Sequence, residues 1–511
     1  MNLPLLERAE HSASFITIAD SPSLNTVRAA YCGARSNDEP LRKPEAGEQY
    51  RFHFDMTKCI GCKCCVVACN EQNGNPPDIL WRRVGEVEGG IYPHTLRHYL
   101  SIGCNHCLEP TCMTGCPVDA YSKDGVTGIV RHSADACIGC QYCTWNCSYG
   151  VPQFNPERGV VGKCDMCYGR LENGQSPACV VACPEDAIQI EIVRVEEWQR
   201  EYREHANSPG MPSADDSIST TRITLPGVMP EGLGRVDLGH LQLEAPHWPL
   251  VLMTVLTQLS VGAFAAILWM QIYAVAATRI AGPVALVIAL CALSASTLHL
   301  GRPIYAARAL KMWRRSWLSR EVLLFTMFAV SAVIYSIFLW TGAPSGILVG
   351  AFTVAFGLAG VGASARLYLA PGRPAWNSPL TVLEFFSTTA ILGTAACGLL
   401  IHHGGRLWPV IACSGLGLLV FSMKLVRFRN SPSHLLYGTW QLLSTTLCRK
   451  MILRVGLLIG GVAVYVAWNH APPRLIALCL LLASELLGRY LFFVSVVPSN
   501  IASGFFTQEA A

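Results

Sequence analysis

Sixteen of the chain's 23 cysteines fall into four closely spaced groups between residues 59 and 183. The first group has the spacing C-x2-C-x2-C-x3-C, in which three thiolates can reach one iron–sulfur cubane while the fourth binds elsewhere. The groups are Cys59, Cys62, Cys65 and Cys69; Cys104, Cys107, Cys112 and Cys116; Cys137, Cys140, Cys143 and Cys147; and Cys164, Cys167, Cys179 and Cys183. Sixteen thiolates match four 4Fe–4S clusters without remainder, and among the seven other cysteines Cys32 and Cys64 are interpreted as non-ligands.

Two other uses of clustered cysteines fit this pattern less well. Zinc also takes four-cysteine sites, but these usually combine two separated C-x2-C pairs rather than one tight run of four. A disulfide scaffold is typical of short secreted chains, whereas this chain has 511 residues and is 51% hydrophobic. The cysteine pattern therefore favours iron–sulfur clusters.

The segments that flank the cysteine groups predict a small α+β domain of ferredoxin-like fold over residues 50–195. Alternating aromatic and polar residues from Tyr50 predict a short strand that leads into the first group. A second strand is expected over 187–193, after the Cys183-Pro184 pair. Residues 1–49 are expected to form a polar N-terminal extension without an export signal.

Residues 196–247 are rich in Pro, Gly, Ser and Asp and are interpreted as a linker. The chain then becomes strongly apolar over 248–500, and 501–511 form a C-terminal tail. The apolar part predicts an all-α bundle of eight transmembrane helices. Their expected bounds are 250–276, 282–300, 321–341, 345–366, 380–401, 407–425, 451–468 and 474–497.

The charges between these spans predict the orientation of the chain in the membrane. Loops on the side of the cysteine-rich domain carry thirteen arginines and lysines, whereas the opposite loops carry only Arg279, Arg406 and Arg474. By the positive-inside rule, the cysteine-rich domain is expected to face the cytoplasm from the inner (cytoplasmic) membrane.

The cysteine-rich part resembles the iron–sulfur subunit of the dimethyl sulfoxide reductase family. The resemblance rests on Cys-Asn-His-Cys-Leu-Glu-Pro-Thr-Cys at 104–112, Gly-Lys-Cys-Asp-Met-Cys at 162–167 and Pro-Ala-Cys-Val-Val-Ala-Cys-Pro at 177–184. It implies that the four groups pair in a nested way, the first with the fourth and the second with the third. The implied ligand sets are Cys59, Cys62, Cys65 and Cys183; Cys164, Cys167, Cys179 and Cys69; Cys104, Cys107, Cys112 and Cys147; and Cys137, Cys140, Cys143 and Cys116.

The apolar part resembles the membrane-anchor subunit of the same family. The resemblance rests on His-Leu-Gly-Arg-Pro at 299–303, Ser-Trp-Leu-Ser-Arg-Glu at 316–321 and Glu-Leu-Leu-Gly-Arg at 485–489. It implies eight helices, electron exchange with menaquinol or another quinone, and a separate molybdopterin catalytic subunit as partner. Two subunits that are separate in the family are fused in this chain.

His299 and Glu321 are the candidate quinone ligands, since both are expected at the membrane face beneath the clusters. Quinol oxidation releases protons together with electrons, so a titratable pair suits this position. Arg302 is a third candidate for binding the quinone, although it suits a lipid phosphate equally well, and His299 and Glu321 could also lie among lipid headgroups. Glu485 and Arg489 are spaced i, i+4, which favours a structural ion pair.

The sequence thus predicts an electron-transfer and quinone-anchor subunit used in anaerobic respiration. Substrate catalysis is expected on the partner chain, and no nucleic-acid partner is expected. Two alternatives stay open: a sulfite or sulfur-compound dehydrogenase in which the same chain reduces quinone, and a redox-driven ion translocator.

Overall fold

The computed structural model describes residues 42–209, 211–229, 234–236, 241–273, 279–342, 346–401, 408–468 and 471–499. Most of the predicted N-terminal extension, including Cys32, and the predicted tail 501–511 lie outside the described residues. The chain forms a small α+β domain, called here the cluster domain, followed by a bundle of apolar helices.

The cluster domain is built on a three-stranded sheet. Strand β1 (Glu48–Asp55) pairs antiparallel with β8 (Ile188–Arg194) and parallel with β9 (Arg222–Thr224). Tyr50, Phe52 and Phe54 alternate along β1 and are buried, as expected for a strand with aromatic residues on one face. The predicted strands before the first cysteine group and after the fourth group are confirmed.

The remaining strands and helices of the domain are short, because the cysteine runs interrupt them. Strands β2 (Arg83–Ile91) and β3 (His94–Ile102) form a long hairpin, and β10 (Gly234–Arg235) extends it. Two smaller hairpins follow, β4 (Tyr121–Lys123) with β5 (Val130–His132) and β6 (Gln153–Asn155) with β7 (Val160–Gly162). Helices carry cysteines from every group: α1 (Cys64–Asn73), α2 (Thr111–Gly115), α3 (Tyr142–Asn146), α4 (Tyr168–Glu172) with its cap Cys167, and α5 (Ala178–Val181).

The first half of the predicted linker is part of the cluster domain, which corrects the sequence interpretation. Helix α6 (Val195–His205) buries Trp198 and Tyr202, and β9 completes the sheet. The Trp198 Nε1 donates a hydrogen bond to the Ser219 carbonyl at 2.8 Å, and Arg51 lies over its ring at 4.6 Å. Two aromatic residues at i, i+4 are enough to anchor a helix that is otherwise polar, which is why composition indicated a linker.

Within the described residues, each of the eight predicted spans contains a helix. Seven are long and apolar enough to cross a membrane, and the eighth, α8, is a shorter apolar helix of 17 residues. The helices are α7 (Trp248–Ile272), α8 (Ala281–Thr297), α9 (Trp317–Thr341), α10 (Gly346–Leu367), α11 (Pro379–Leu400), α12 (Trp408–Arg429), α14 (Cys448–Ala467) and α15 (Ala471–Val494), with a shorter α13 (His434–Ser444) between α12 and α14. The chain is therefore a multi-pass membrane protein.

Three glycines bring the backbone of the cluster domain against the helical bundle. Gly301 N donates to the Gly139 carbonyl at 3.3 Å and Arg302 N to the Ile138 carbonyl at 3.1 Å. A Cβ on Gly301 would lie 2.3 Å from the Gly159 carbonyl oxygen, and one on Gly139 would lie 2.9 Å from the Gly301 Cα. No side chain fits between these backbone segments, so the cluster domain and the helical bundle dock in a fixed register.

Candidate functional site

The sixteen grouped cysteines come together in four sets of four. Burial, and after it the proximity of other cysteines, raises the pKa of several of these thiols, for example to about 12 at Cys69 and Cys107. Electrostatic interactions among the thiols support a grouping into set A (Cys59, Cys62, Cys65, Cys183), set B (Cys69, Cys164, Cys167, Cys179), set C (Cys104, Cys107, Cys112, Cys147) and set D (Cys116, Cys137, Cys140, Cys143), with further interactions between adjacent sets. These sets have the same members as the ligand sets that the resemblance implies, and the assignment of iron to them stays a prediction.

The sets suit polynuclear clusters better than single ions. In the described part of the chain, no three His, Cys, Asp or Glu side chains converge closely enough to hold one metal ion. In a cubane each cysteine binds a different iron atom, so the four sulfurs surround the cluster instead of meeting at one point.

Two buried cations lie among the sets. Arg82 and Lys163 are each 3% exposed, and neither forms an ion pair with a carboxylate within the described ranges. Burial alone would lower the pKa of the Arg82 guanidinium, but Cys179, Cys65 and Cys164 raise it above its ordinary value. Burial alone would likewise lower the pKa of Lys163. Cys104 and Cys112 favour its charged form, and the net effect raises its pKa. A buried cation needs a counter-charge, and thiolate-bound clusters would supply one.

We expect the Lys163→Met variant to lower the reduction potential of a nearby cluster. Removing a buried positive charge destabilises the reduced form, by on the order of 100 mV for a charge several ångströms away at an effective dielectric constant of about 20. The measurement is a redox titration followed by EPR. Lys58→Met is the matched control: this lysine adjoins Cys59 but is exposed, so water screens its charge. Equal shifts in the two variants would contradict the role assigned to burial.

The four sets follow one another from the surface of the cluster domain toward the helices. Cys65 of set A neighbours Cys179 of set B, and Cys164 of set B neighbours Cys104 of set C. Tyr121 interacts electrostatically with Cys143 of set D and with Cys112 of set C. The backbone of Cys140, in set D, lies within hydrogen-bonding reach of the His299 imidazole. Cys62 is exposed, so the series runs from the surface to the membrane part.

A cavity of about 240 Å³ lies where set D meets the helices. Its walls come from both parts of the chain: Cys140, Tyr142 and Trp145 from the cluster domain, and residues of α7 to α10 with the segment after α8. The walls are mostly apolar, and His299, Glu321 and Tyr368 are among the few polar side chains. A mostly apolar pocket with a few convergent polar groups is typical of a small-molecule site.

His299 is the second residue after α8 and offers an unused polar atom at this cavity. Its Nε2 is buried and has no hydrogen-bond partner among the described residues. Burial, and to a lesser extent the neighbouring His247, lowers the pKa of the His299 imidazole to about 4. The backbone of Cys140 has a smaller effect in the opposite direction. A buried polar atom without a partner is costly, so His299 is suited to bind a ligand group in the cavity.

Glu321 lies one turn inside α9 on the same cavity wall. It is only 5% exposed, and Ser364 of α10 lies beside its carboxyl group. The hydroxyl groups of Tyr142 and Tyr368 are close enough to Glu321 to interact electrostatically. The structure thus brings His299 and Glu321 together at one cavity.

Sequence reasoning missed the aromatic residues that hold His299. Trp145 stacks on its ring with centroids 6.2 Å apart, and His247 packs against it edge-on at 5.1 Å. The ring of Trp145 also contacts Tyr368 and Trp376. A tryptophan between Cys143 and Cys147, inside a run of predicted cluster ligands, was the available signal, but its partners come from the other part of the chain.

Arg302 is placed differently from the quinone contact predicted for it. Its Nη1 donates to the Ala134 carbonyl at 2.9 Å, and the residue does not line the cavity. Arg308 contacts the Asp135 carbonyl and Arg315 pairs with Asp119 at 3.1 Å. These arginines lie in the contact between the cluster domain and the bundle.

The intramembrane charges form a buried cluster separate from the cavity. Glu384 pairs with Lys424 at 2.6 Å and lies 3.9 Å from Arg454. The expected pair between Glu485 and Arg489 is wrong: Glu485 accepts from the Thr388 hydroxyl at 2.6 Å, and Arg489 donates to Gln258 at 3.3 Å. The hydrogen-bond partners of Glu485 and Arg489 lie on neighbouring helices, which spacing along one helix could not indicate.

The sequence matches two family models. Residues 96–192 match the 4Fe-4S dicluster domain, and residues 242–494 match the DMSO reductase anchor subunit (DmsC). The cluster domain therefore binds 4Fe–4S clusters, and the helical part is a membrane anchor of this type.

Curated relatives match the cluster domain. A chain of the anaerobic dimethyl sulfoxide reductase of Haemophilus influenzae is 36% identical over 177 residues, which cover 33% of this chain and 85% of the relative. The probable anaerobic dimethyl sulfoxide reductase chain YnfG of Escherichia coli is 41% identical over 150 residues, 28% of this chain and 73% of the relative. A subunit of the sulfite dehydrogenase of Allochromatium vinosum is 34% identical over 160 residues, 27% of this chain and 67% of the relative.

Proposed function

This protein belongs to the dimethyl sulfoxide reductase family, as an iron–sulfur subunit fused to its membrane-anchor subunit, and we propose that it carries electrons between menaquinol and a molybdopterin catalytic subunit. The quinol binds in the cavity at His299 and Glu321, and sets A to D each hold one 4Fe–4S cluster. The clusters supply one-electron storage; the side chains of this protein position the quinol and accept its protons.

The observation that carries this proposal is the position of the cavity. It is mostly apolar, adjoins set D through Cys140, and includes a buried His299 Nε2 that has no partner among the described residues. A quinol ring and its apolar tail suit such walls, and a hydroxyl group suits the free ring nitrogen. Glu321 supplies a second polar group on the wall, so each of the two protons that the quinol releases has a side chain that can accept it.

The cluster number is tested by composition. Four sets of four thiolates predict about sixteen iron and sixteen sulfide per chain, measured by iron and sulfide analysis and by EPR of the reduced complex. Cys64→Ser is the matched control, because Cys64 is exposed and belongs to none of the sets; its iron content should equal that of the wild type. About twelve iron per chain, or bound zinc, would contradict the assignment.

The catalytic partner is proposed to dock beside set A. Cys62 is exposed there, and the side chains of Ile60 and Val67 are 58% and 61% exposed. Large apolar side chains next to a cluster suit a partner that receives electrons.

The opposite direction of electron flow, into quinone, has a specific observation in its favour, since one relative is a sulfite dehydrogenase subunit. Reduction potentials that rise from set D to set A would favour the reductase, and potentials that fall would favour the dehydrogenase.

The cluster domain and the C-terminus are proposed to face the cytoplasm from the inner membrane. Ser499, after α15, donates its hydroxyl to the Ser148 carbonyl at 2.8 Å, so a C-terminal reporter should lie on the same side as the cluster domain. Alkaline phosphatase fused after Ala511 should be inactive, and a cytoplasmic fluorescent protein at the same position should be fluorescent. An active phosphatase fusion would show that the C-terminus and the cluster domain face the opposite side of the membrane.

A further inference from the structure

An open groove of about 560 Å³ lies between α9, α10 and α11. Its α9 residues are Trp317, Arg320, Leu323 and Leu324, whereas the cavity uses Leu318, Glu321, Val322, Phe325 and Thr326 of the same helix. By the helical periodicity, these two sets lie on opposite faces of α9. The groove is therefore distinct from the proposed quinol site.

Two arginines lie at the mouth of the groove. Arg320 is in the first turn of α9 and Arg366 is in the last turn of α10, so these antiparallel neighbours place both at the same membrane face. Their guanidinium groups lie over the Trp317 ring, at 4.4 and 5.8 Å from its centroid. Arg320 donates to the Trp313 and Arg314 carbonyls. Across the described residues, neither arginine forms an ion pair with a carboxylate, so the mouth carries uncompensated positive charge.

The floor of the groove is apolar and reaches into the bilayer. Leu323 and Leu324 form one side, Val382 another, and Ala359, Gly362 and Ala363 of α10 leave the space between them open. A Cβ at Gly362 would only touch Phe386 at 3.6 Å. The groove thus has a cationic, tryptophan-lined end at the headgroup level and an apolar channel of hydrocarbon depth.

We propose that this groove binds one anionic phospholipid of the leaflet on the cluster-domain side. Its phosphate lies between Arg320 and Arg366, where planar guanidinium groups can each form paired hydrogen bonds with phosphate oxygens. One acyl chain lies along the apolar floor, and the tryptophans lie at the level of the glycerol backbone. The uncompensated charge at the mouth selects a lipid with net negative charge over a zwitterionic one.

The test is native mass spectrometry of the intact complex, taken from nanodiscs of phosphatidylcholine mixed with phosphatidylglycerol. The wild type should retain phosphatidylglycerol preferentially. Arg366→Gln, which removes no hydrogen bond to the described part of the protein, should reduce that retention by roughly fivefold, and the double variant R320Q/R366Q should reduce it by roughly tenfold or more. R320K/R366K should keep part of it, because the charge remains. Gly362→Leu should reduce retention by filling the floor without a change of charge.

The matched control removes two charges from the same membrane face away from the groove. Arg429 and Arg449 are exposed and do not line it, so R429Q/R449Q should bind phosphatidylglycerol as the wild type does. Iron content and dye-linked cluster reduction establish that each variant is folded. Equal retention of the two lipids by the wild type, equal loss in the control, or loss of quinone instead of phospholipid from the Arg366→Gln variant would overturn the proposal.

Discussion

Replacing His299 by leucine is expected to reduce quinol-linked turnover by roughly 100-fold or more, while the clusters stay reducible by a soluble dye. The change removes the one ring nitrogen that is buried at the cavity without a partner in the described structure, and it keeps a side chain of similar bulk against Trp145. Turnover is measured with a menaquinol analogue, and cluster reduction is measured by EPR after addition of a reduced dye.

Two comparisons separate chemistry from folding in this experiment. His434→Leu makes the same replacement at an exposed histidine away from the cavity and should leave turnover unchanged. Glu321→Gln keeps a hydrogen-bonding group of the same shape but removes a proton acceptor, so it should slow turnover while the quinol still binds. Normal quinol kinetics in both His299→Leu and Glu321→Gln would place the site elsewhere, and loss of clusters would make these residues structural.

The Gly301→Ala variant is expected to lose most quinol-linked turnover although it adds a single methyl group. The new Cβ would lie 2.3 Å from the Gly159 carbonyl oxygen and 2.9 Å from its Cα, and backbone atoms cannot rotate away as a flexible side chain could. Relief requires the loop after α8 to move off the cluster domain, at a cost on the order of 1–3 kcal/mol. Because His299 is two residues away, this movement also displaces it from Cys140.

The measurement compares quinol-linked with dye-linked cluster reduction in Gly301→Ala and in Gly460→Ala. Gly460 lies in α14, and a Cβ there would meet nothing within 4 Å, so the control should keep both activities. We expect only the quinol-linked reaction to fail in Gly301→Ala. Unchanged turnover would mean that the loop can shift without consequence for the site.

The sequence was most informative where one local pattern determines the structure. The alternation of Tyr50, Phe52 and Phe54 predicted β1 because a strand with one buried face imposes that period. The apolar runs predicted the spans because a bilayer leaves the backbone few alternatives to a helix. Even there, α8 ends at Thr297 rather than at residue 300, since the chain must turn to place Gly301 on Gly139.

The candidate site could be predicted only in part. His299 and Glu321 stood out because both are polar residues next to apolar spans. The contributions of Tyr142 and Trp145 could not be predicted, because they depend on how one part of the chain docks on the other. The partners of Glu485 and Arg489 also come from helices far away in the sequence, so their spacing on α15 was misleading.

Helix α3 connects the insertion of the clusters with the completion of the proposed quinol cavity. Trp145 and Tyr142 form part of the cavity wall, and they lie on a five-residue helix between Cys140 and Cys147, of sets D and C. So short a helix has little stability of its own, and metal–thiolate bonds would hold its ends. If sets C and D bind clusters as proposed, the membrane helices can insert first, and the part of the cavity wall on α3 would be fixed in place only after the clusters are bound. Under the proposed function, cluster insertion would then act as a checkpoint, because a chain without its clusters would lack a complete quinol site.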